Sequence, residues 1–142
     1  MANIKGRPSV VLISATTDPV KYEKRFTGAE IIPGTFLKPD GDGVAVNTGN
    51  ALFPLLVDAD FVTQQGMKAK WVTNDVVPYF YPVRGMTVQA QLAASQTIAA
   101  GDGLVIGAGG KLTAGTTGLF GFATEAVTSD ATTPATIIVE VV

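Results

Sequence analysis

Sixteen glycines and eight prolines punctuate this chain of 142 residues, and their spacing constrains the fold more than any other feature. Clusters at Pro33-Gly34, Pro39-Asp40-Gly41-Asp42-Gly43, Gly101-Asp102-Gly103 and Gly107-Ala108-Gly109-Gly110 leave segments mostly about five to ten residues long, the length of strands. The spacing predicts an all-β fold, a small β-barrel or jelly-roll-like sandwich. Period-two alternation agrees with it. In Thr87-Val88-Gln89-Ala90-Gln91-Leu92, Val88, Ala90 and Leu92 fall on one face and Thr87, Gln89 and Gln91 on the other. Lys68-Ala69-Lys70-Trp71 sends Ala69 and Trp71 inward. The closing Thr136 to Val142 is apolar on both faces, with Ile138 and Val142 opposite Ile137, Val139 and Val141. A strand of that kind is central in a sandwich or covered by a neighbouring chain. Helix is limited to one or two short pieces; the best candidate is Asp58 to Gln65, with Asp58 as N-cap and Gly66 as its stop.

A pattern also repeats. Ile31, Gly34, Leu37, Gly43, Leu52-Phe53 and Val72 recur as Ile98, Gly101, Leu104, Gly110, Leu119-Phe120 and Val139, at a constant offset of 67 positions. Shared strand starts, turn glycines and core residues point to one β-unit used twice. The organisation expected is an extended arm over residues 1–19 and a single β-domain over 20–142. Within the domain, two related units would cover about 28–72 and 95–139.

Composition narrows the function. The chain has no histidine and no cysteine, which removes the commonest general base, the commonest transition-metal ligand, thiolate chemistry and disulfides together. Lack of cysteine fits a reducing intracellular origin better than a secreted one. Charged residues are only 15% of the chain, against 46% hydrophobic and roughly 25% charged in an average soluble domain. So little charge implies that part of the surface is buried against other chains. A net charge of −2 gives no footprint for nucleic acid. No run approaches the ~20 apolar residues that cross a bilayer, and Val10 to Ile13 is too short for a signal core. Neither nucleic acid nor a membrane is an expected partner.

No candidate site carries chemistry on sequence grounds. Pro39-Asp40-Gly41-Asp42-Gly43 offers alternate carboxylates to a calcium ion, but Ala51 stands where the bidentate Glu of an EF-hand loop would fall. Gly107-Ala108-Gly109-Gly110-Lys111-Leu112 has Leu112 where a phosphate loop needs Ser or Thr. Both read as turns. Asp58 and Glu125 occupy matching places in the two units, a conceivable carboxylate pair with nothing in the sequence to tune it. Ser14, Ser95 and Ser129 have no elbow motif, and no histidine exists to complete a triad. No catalytic residue, cofactor or metal ligand is assigned, and no enzyme activity is expected.

Contact surfaces are the alternative. Tyr79, Phe80 and Tyr81 are consecutive, so they cannot all point inward from one strand. With Val10, Val11, Leu12 and Ile13 of the arm, and Ile138 and Val142 of the last strand, they are the candidate contacts with a partner or a second copy. Deleting residues 1 to 17 is expected to leave a folded domain with weakened attachment.

Several stretches resemble the head decoration, or cement, proteins of tailed bacteriophages. They are Gly28-Ala29-Glu30-Ile31-Ile32-Pro33-Gly34, Val83-Arg84-Gly85-Met86-Thr87-Val88-Gln89-Ala90-Gln91-Leu92-Ala93, Ile98-x-x-Gly101-Asp102-x-Leu104, Gly110-Lys111-Leu112 and Gly121-Phe122-Ala123-Thr124-Glu125-Ala126. One departure is Met86, where relatives more often carry an acid. The resemblance implies a small β-domain on the outer surface of the virion capsid, assembled in the bacterial host cytoplasm. There it would bridge neighbouring major capsid protein subunits as a dimer or trimer, with its N-terminal segment reaching across the shell. The reading from another class is a carbohydrate-binding or adhesin module, with exposed tyrosines as a sugar platform.

Overall fold

Glycine and proline turns set the strand lengths of the protein. The computed structural model describes residues 11–14, 21–49, 54–58, 70–132 and 135–142. Its strands are β1 (Leu12–Ser14), β2 (Lys21–Arg25), β3 (Glu30–Ile31), β4 (Phe36–Asp40), β5 (Gly43–Val46), β6 (Leu55–Val57), β7 (Trp71–Val72) and β8 (Val76–Phe80). They continue with β9 (Thr87–Leu92), β10 (Thr97–Ile98), β11 (Gly103–Ile106), β12 (Leu112–Ala114), β13 (Leu119–Ala123), β14 (Val127–Thr128) and β15 (Ala135–Val141). Among the described residues the only helical piece is a 3-10 turn at Ala108–Gly110. The fold is all-β. The helix expected over Asp58 to Gln65 lies, beyond Asp58, outside the described residues.

After β1 the strands form two runs of identical connectivity. The first is a sheet of order β2-β8-β6-β4-β5 with β3 and β7 as a side ribbon; the second is β9-β15-β13-β11-β12 with β10 and β14 as its ribbon. A parallel contact between first and last strands closes each sheet, Phe26 to Val44 in one and Leu92 to Leu112 in the other. The result is two small five-stranded barrels in tandem, over residues 21–80 and 87–141. Equivalent turns precede β4 and β11, where Gly34 and Gly101 sit at φ +85° and +90°, a region glycine enters without steric cost. Of the positions repeated in sequence, Ile31 and Ile98 lie in β3 and β10, and Leu37 and Leu104 in β4 and β11. Val72 and Val139 lie in β7 and β15, which are not equivalent strands.

Two apolar cores follow from the alternation of side chains. Phe26, Ile31, Leu37, Val44, Leu55, Val57, Trp71, Val77 and Tyr79 fill the N-terminal barrel. The other face of the same sheet carries Phe36, Leu56 and Phe80 as one cross-strand row, Phe36 opposite Leu56 and Leu56 opposite Phe80. That row belongs to the core of the C-terminal barrel, together with Val11, with Leu12 of β1, and with Val88, Leu104, Phe120, Ile137 and Val139. A sheet buried on both faces needs continuous apolar runs, which explains Leu55-Leu56-Val57 and Tyr79-Phe80. At the junction the ring of Phe36 meets Phe120 edge to face, with centroids 4.7 Å apart at 74°.

Gln91 corrects the simple alternation of β9. Val88, Ala90 and Leu92 are buried as expected, but so is Gln91, because its side-chain amide donates to the carbonyl of Pro33 at 2.8 Å. Its backbone N–H donates to the carbonyl of Gly34 at 2.9 Å. The Pro33-Gly34 turn of one barrel is thereby fastened to the first strand of the other. Gly110 completes the joint: at φ +69°, a Cβ there would stand 2.5 Å from the carbonyl oxygen of Phe36.

Candidate functional site

The described part of the N-terminal segment is not a free arm. Val11 and Leu12 are fully or almost fully buried, and β1 lies antiparallel along β9 with Leu12 opposite Val88. The backbone N–H of Val11 donates to Asp58 Oδ1 at 3.4 Å, and its carbonyl accepts from Gln89 at 2.8 Å. These two side chains belong to the core, so removing residues 1 to 17 strips interior packing as well as any contact. Of the apolar run, Ile13 is exposed; Val10 lies outside the described residues.

The three aromatic candidates divide as one strand requires. Tyr79 points into the N-terminal barrel, Phe80 into the junction core, and Tyr81 remains exposed. Tyr22, not singled out from sequence, joins them: it stands opposite Tyr79 on β2, stacked at 5.6 Å and 20°, with Tyr81 edge-on at 6.4 Å. Burial first, then the neighbouring Tyr81 and Tyr22, hold the Tyr79 phenol above its ordinary value.

A cleft opens beside this cluster because the barrel is closed only near Phe26. Toward the start of β2, β2 and β5 lack further described pairing, and the seam forms a cavity of ≈ 240 Å³ with Leu55 and Tyr79 at its base and Tyr22, Lys24, Pro39 and Tyr81 around it. The signal for Tyr22 was the alternation Tyr22-x-Lys24-x-Phe26. One face of a strand carries an aromatic, a cation and a core residue in turn.

A second surface lies on the outer face of the C-terminal barrel. Phe122 stands opposite Glu140 and is 41% exposed, Val142 is 48% exposed, and Ile138 is half-buried. The backbone N–H of Val142 donates to the carbonyl of Phe120 at 3.2 Å, so the chain end stays in the sheet. β15 is paired along both edges, with β9 and with β13, and its faces differ: Ile137, Val139 and Val141 pack in the core, while Ile138 and Val142 lie on the outer face.

The glycine-rich segments are turns. Gly41 and Asp42 form the two-residue loop of the β4–β5 hairpin, and Asp40 accepts the hydroxyl of Thr27 at 2.7 Å. Gly107 donates its N–H to the carbonyl of Lys111 at 2.8 Å. Asp58 and Glu125 each accept a backbone N–H, from Val11 at 3.4 Å and from Ile138 at 3.3 Å. Both carboxylates thus hold strands in place.

These features define a tandem β-barrel module whose most developed surfaces are an aromatic cleft and an apolar outer face. Among solved structures the chain is similar to the head fiber gp8.5 N base of bacteriophage phi29, with a TM-score of 0.58 and 15% sequence identity over 87% of this chain and 94% of that one. The two share a fold. No protein-family profile matches the chain, and no curated protein matches it.

Proposed function

We propose that the protein is a structural component of a bacteriophage head, a decoration or cement protein on the outer surface of the capsid. The observation that carries this reading is the fold likeness to a head fiber base, which spans 87% of the chain. The low charge content and the exposed apolar residues Ile13, Tyr81, Phe122 and Val142 support it. In this role the protein bridges neighbouring major capsid protein subunits and works without turnover of a substrate. It associates with itself as a dimer or trimer. Contacts of about 800 Å² per partner suffice for a specific interface, and a symmetric array multiplies modest affinities into a shell that resists pressure.

The test is cosedimentation of the purified protein with heads of a phage that encodes it. Saturable binding to heads, weakened by Phe122→Asp, is the expected outcome. Absence of the protein from both the heads and the bound fraction would refute the reading.

A further inference from the structure

The two barrels share one topology, so each serves as a control for the other. Tyr22 pairs with Tyr79 and Lys24 with Val77, as Val88 pairs with Val139 and Ala90 with Ile137, while Phe26 and Leu92 both sit at the closing contact. Tyr22 therefore corresponds to Val88, Lys24 to Ala90 and Tyr79 to Val139. Two residues beyond Tyr79 and Val139, Tyr81 corresponds to Val141. In the C-terminal barrel these four positions hold three valines and an alanine, all buried. In the N-terminal barrel they hold three tyrosines and a lysine, with Tyr22 and Tyr81 42% and 38% exposed and Lys24 exposed. Small aliphatic side chains thus suffice to fill this part of the fold, and packing does not demand the amphipathic ones. They wall a cleft of ≈ 240 Å³ to which all five strands contribute, with Leu55 from β6, Pro39 from β4 and Val44 from β5. Barrel mouths are recurrent ligand sites, and a volume below the ~300–1,000 Å³ of a drug-sized pocket suits a single ring.

We propose that this barrel mouth binds one hexuronate unit of an acidic polysaccharide. An aromatic side chain presents an apolar body and a polar tip, which matches a pyranose with its C–H face and its rim of hydroxyls. Tyr22 and Tyr81 stand nearly perpendicular, at 82° with centroids 6.4 Å apart, and form a corner that meets such a ring on a face and an edge. Stacking of Tyr22 on Tyr79 at 5.6 Å holds that corner in place. The phenol hydroxyls donate to and accept from sugar hydroxyls, a match that a wholly apolar guest would not provide. Lys24 sets the charge. Among the described residues lining the cleft it is the ionised one, and its ammonium engages a carboxylate in a charge-assisted hydrogen bond. An acidic sugar is therefore preferred to a neutral one.

Titration of the full chain with trigalacturonate and with a glucuronate-containing hyaluronan tetrasaccharide, followed by amide shifts and calorimetry, tests it. Saturable binding of at least one is expected, with a Kd on the order of 1 mM and shift changes at Tyr22, Lys24, Tyr79 and Tyr81. The methyl ester of the same saccharide keeps the rings and loses the charge, and should bind about five- to tenfold more weakly. Lys24→Gln, at an exposed position, should bring the acid down to the level of the ester. Tyr22→Val and Tyr81→Val install the residue of the sibling barrel and should abolish binding, with unfolding midpoints verifying that each variant is folded. Four results overturn the proposal: no shifts with either acid at about 10 mM; shifts confined to residues outside the cleft; equal affinity for acid and ester; or affinity for the acid indifferent to Lys24→Gln. Binding of hydroxyphenylacetate in the cleft, with both saccharides inert, would make it a site for aromatic acids and equally overturn it.

Discussion

Replacing Phe36 by alanine asks whether the two barrels are one cooperative body. Phe36 belongs to the first barrel by strand, yet it is fully buried in the core of the second, between the Leu56–Phe80 row and the edge-on ring of Phe120 at 4.7 Å. Truncating a buried phenylalanine costs roughly 3–5 kcal/mol, of which the ring pair accounts for ~0.5–1.5 kcal/mol. At about 3 °C per kcal/mol for a chain of this size, the midpoint should fall by roughly 10–15 °C in a single calorimetric transition. A Phe36→Ala, Phe120→Ala double-mutant cycle should return the ring-pair energy as coupling. Phe26→Ala, equally buried but in the other core, should be additive with Phe120→Ala within ~0.5 kcal/mol. A loss below about 1 kcal/mol for Phe36→Ala, or two resolved transitions in the native chain, would refute the shared core.

Three further outcomes follow from the same packing. Gln91→Leu leaves the Pro33 carbonyl without its side-chain donor at the junction and should cost about 1–3 kcal/mol, read by urea unfolding. Gly110→Ala places a Cβ against the Phe36 carbonyl at an unfavourable φ and should cost on the order of 2–3 kcal/mol, whereas Gly101→Ala, with open space around it, should cost less. The raised Tyr79 value means folding favours the neutral phenol. Its contribution is complete below the unfolded-state value near 10.0 and is lost as pH rises through the higher folded-state value. Urea midpoints from about pH 8 to about pH 11 should therefore fall more steeply for the native chain than for Tyr79→Phe; parallel profiles would contradict this.

Much of the architecture is legible in the sequence because turn chemistry is local. The Pro33-Gly34 and Asp40-Gly41-Asp42-Gly43 turns and the period-two face of β9 announce an all-β chain without tertiary information. What stays hidden is which neighbour each face meets. Gln91 reads as a solvent-facing polar residue until the Pro33 carbonyl is placed against it. Val11 and Leu12 read as part of a reaching arm, yet the flank of β9 takes them into the core. The offset of 67 positions in the sequence is shorter in reach than the seven-strand repeat, because β7 and β14, then β8 and β15, are spaced by different loop lengths. Tyr22 escapes notice because its partners lie 57 and 59 residues away, at Tyr79 and Tyr81.

The most direct test of the head-protein reading is a cryo-electron microscopy map of heads with and without this protein. The account predicts difference density on the outer shell, of a size to hold two adjoining small barrels and touching more than one capsid subunit. Difference density confined to the tail, or none on the particle at all, would contradict it.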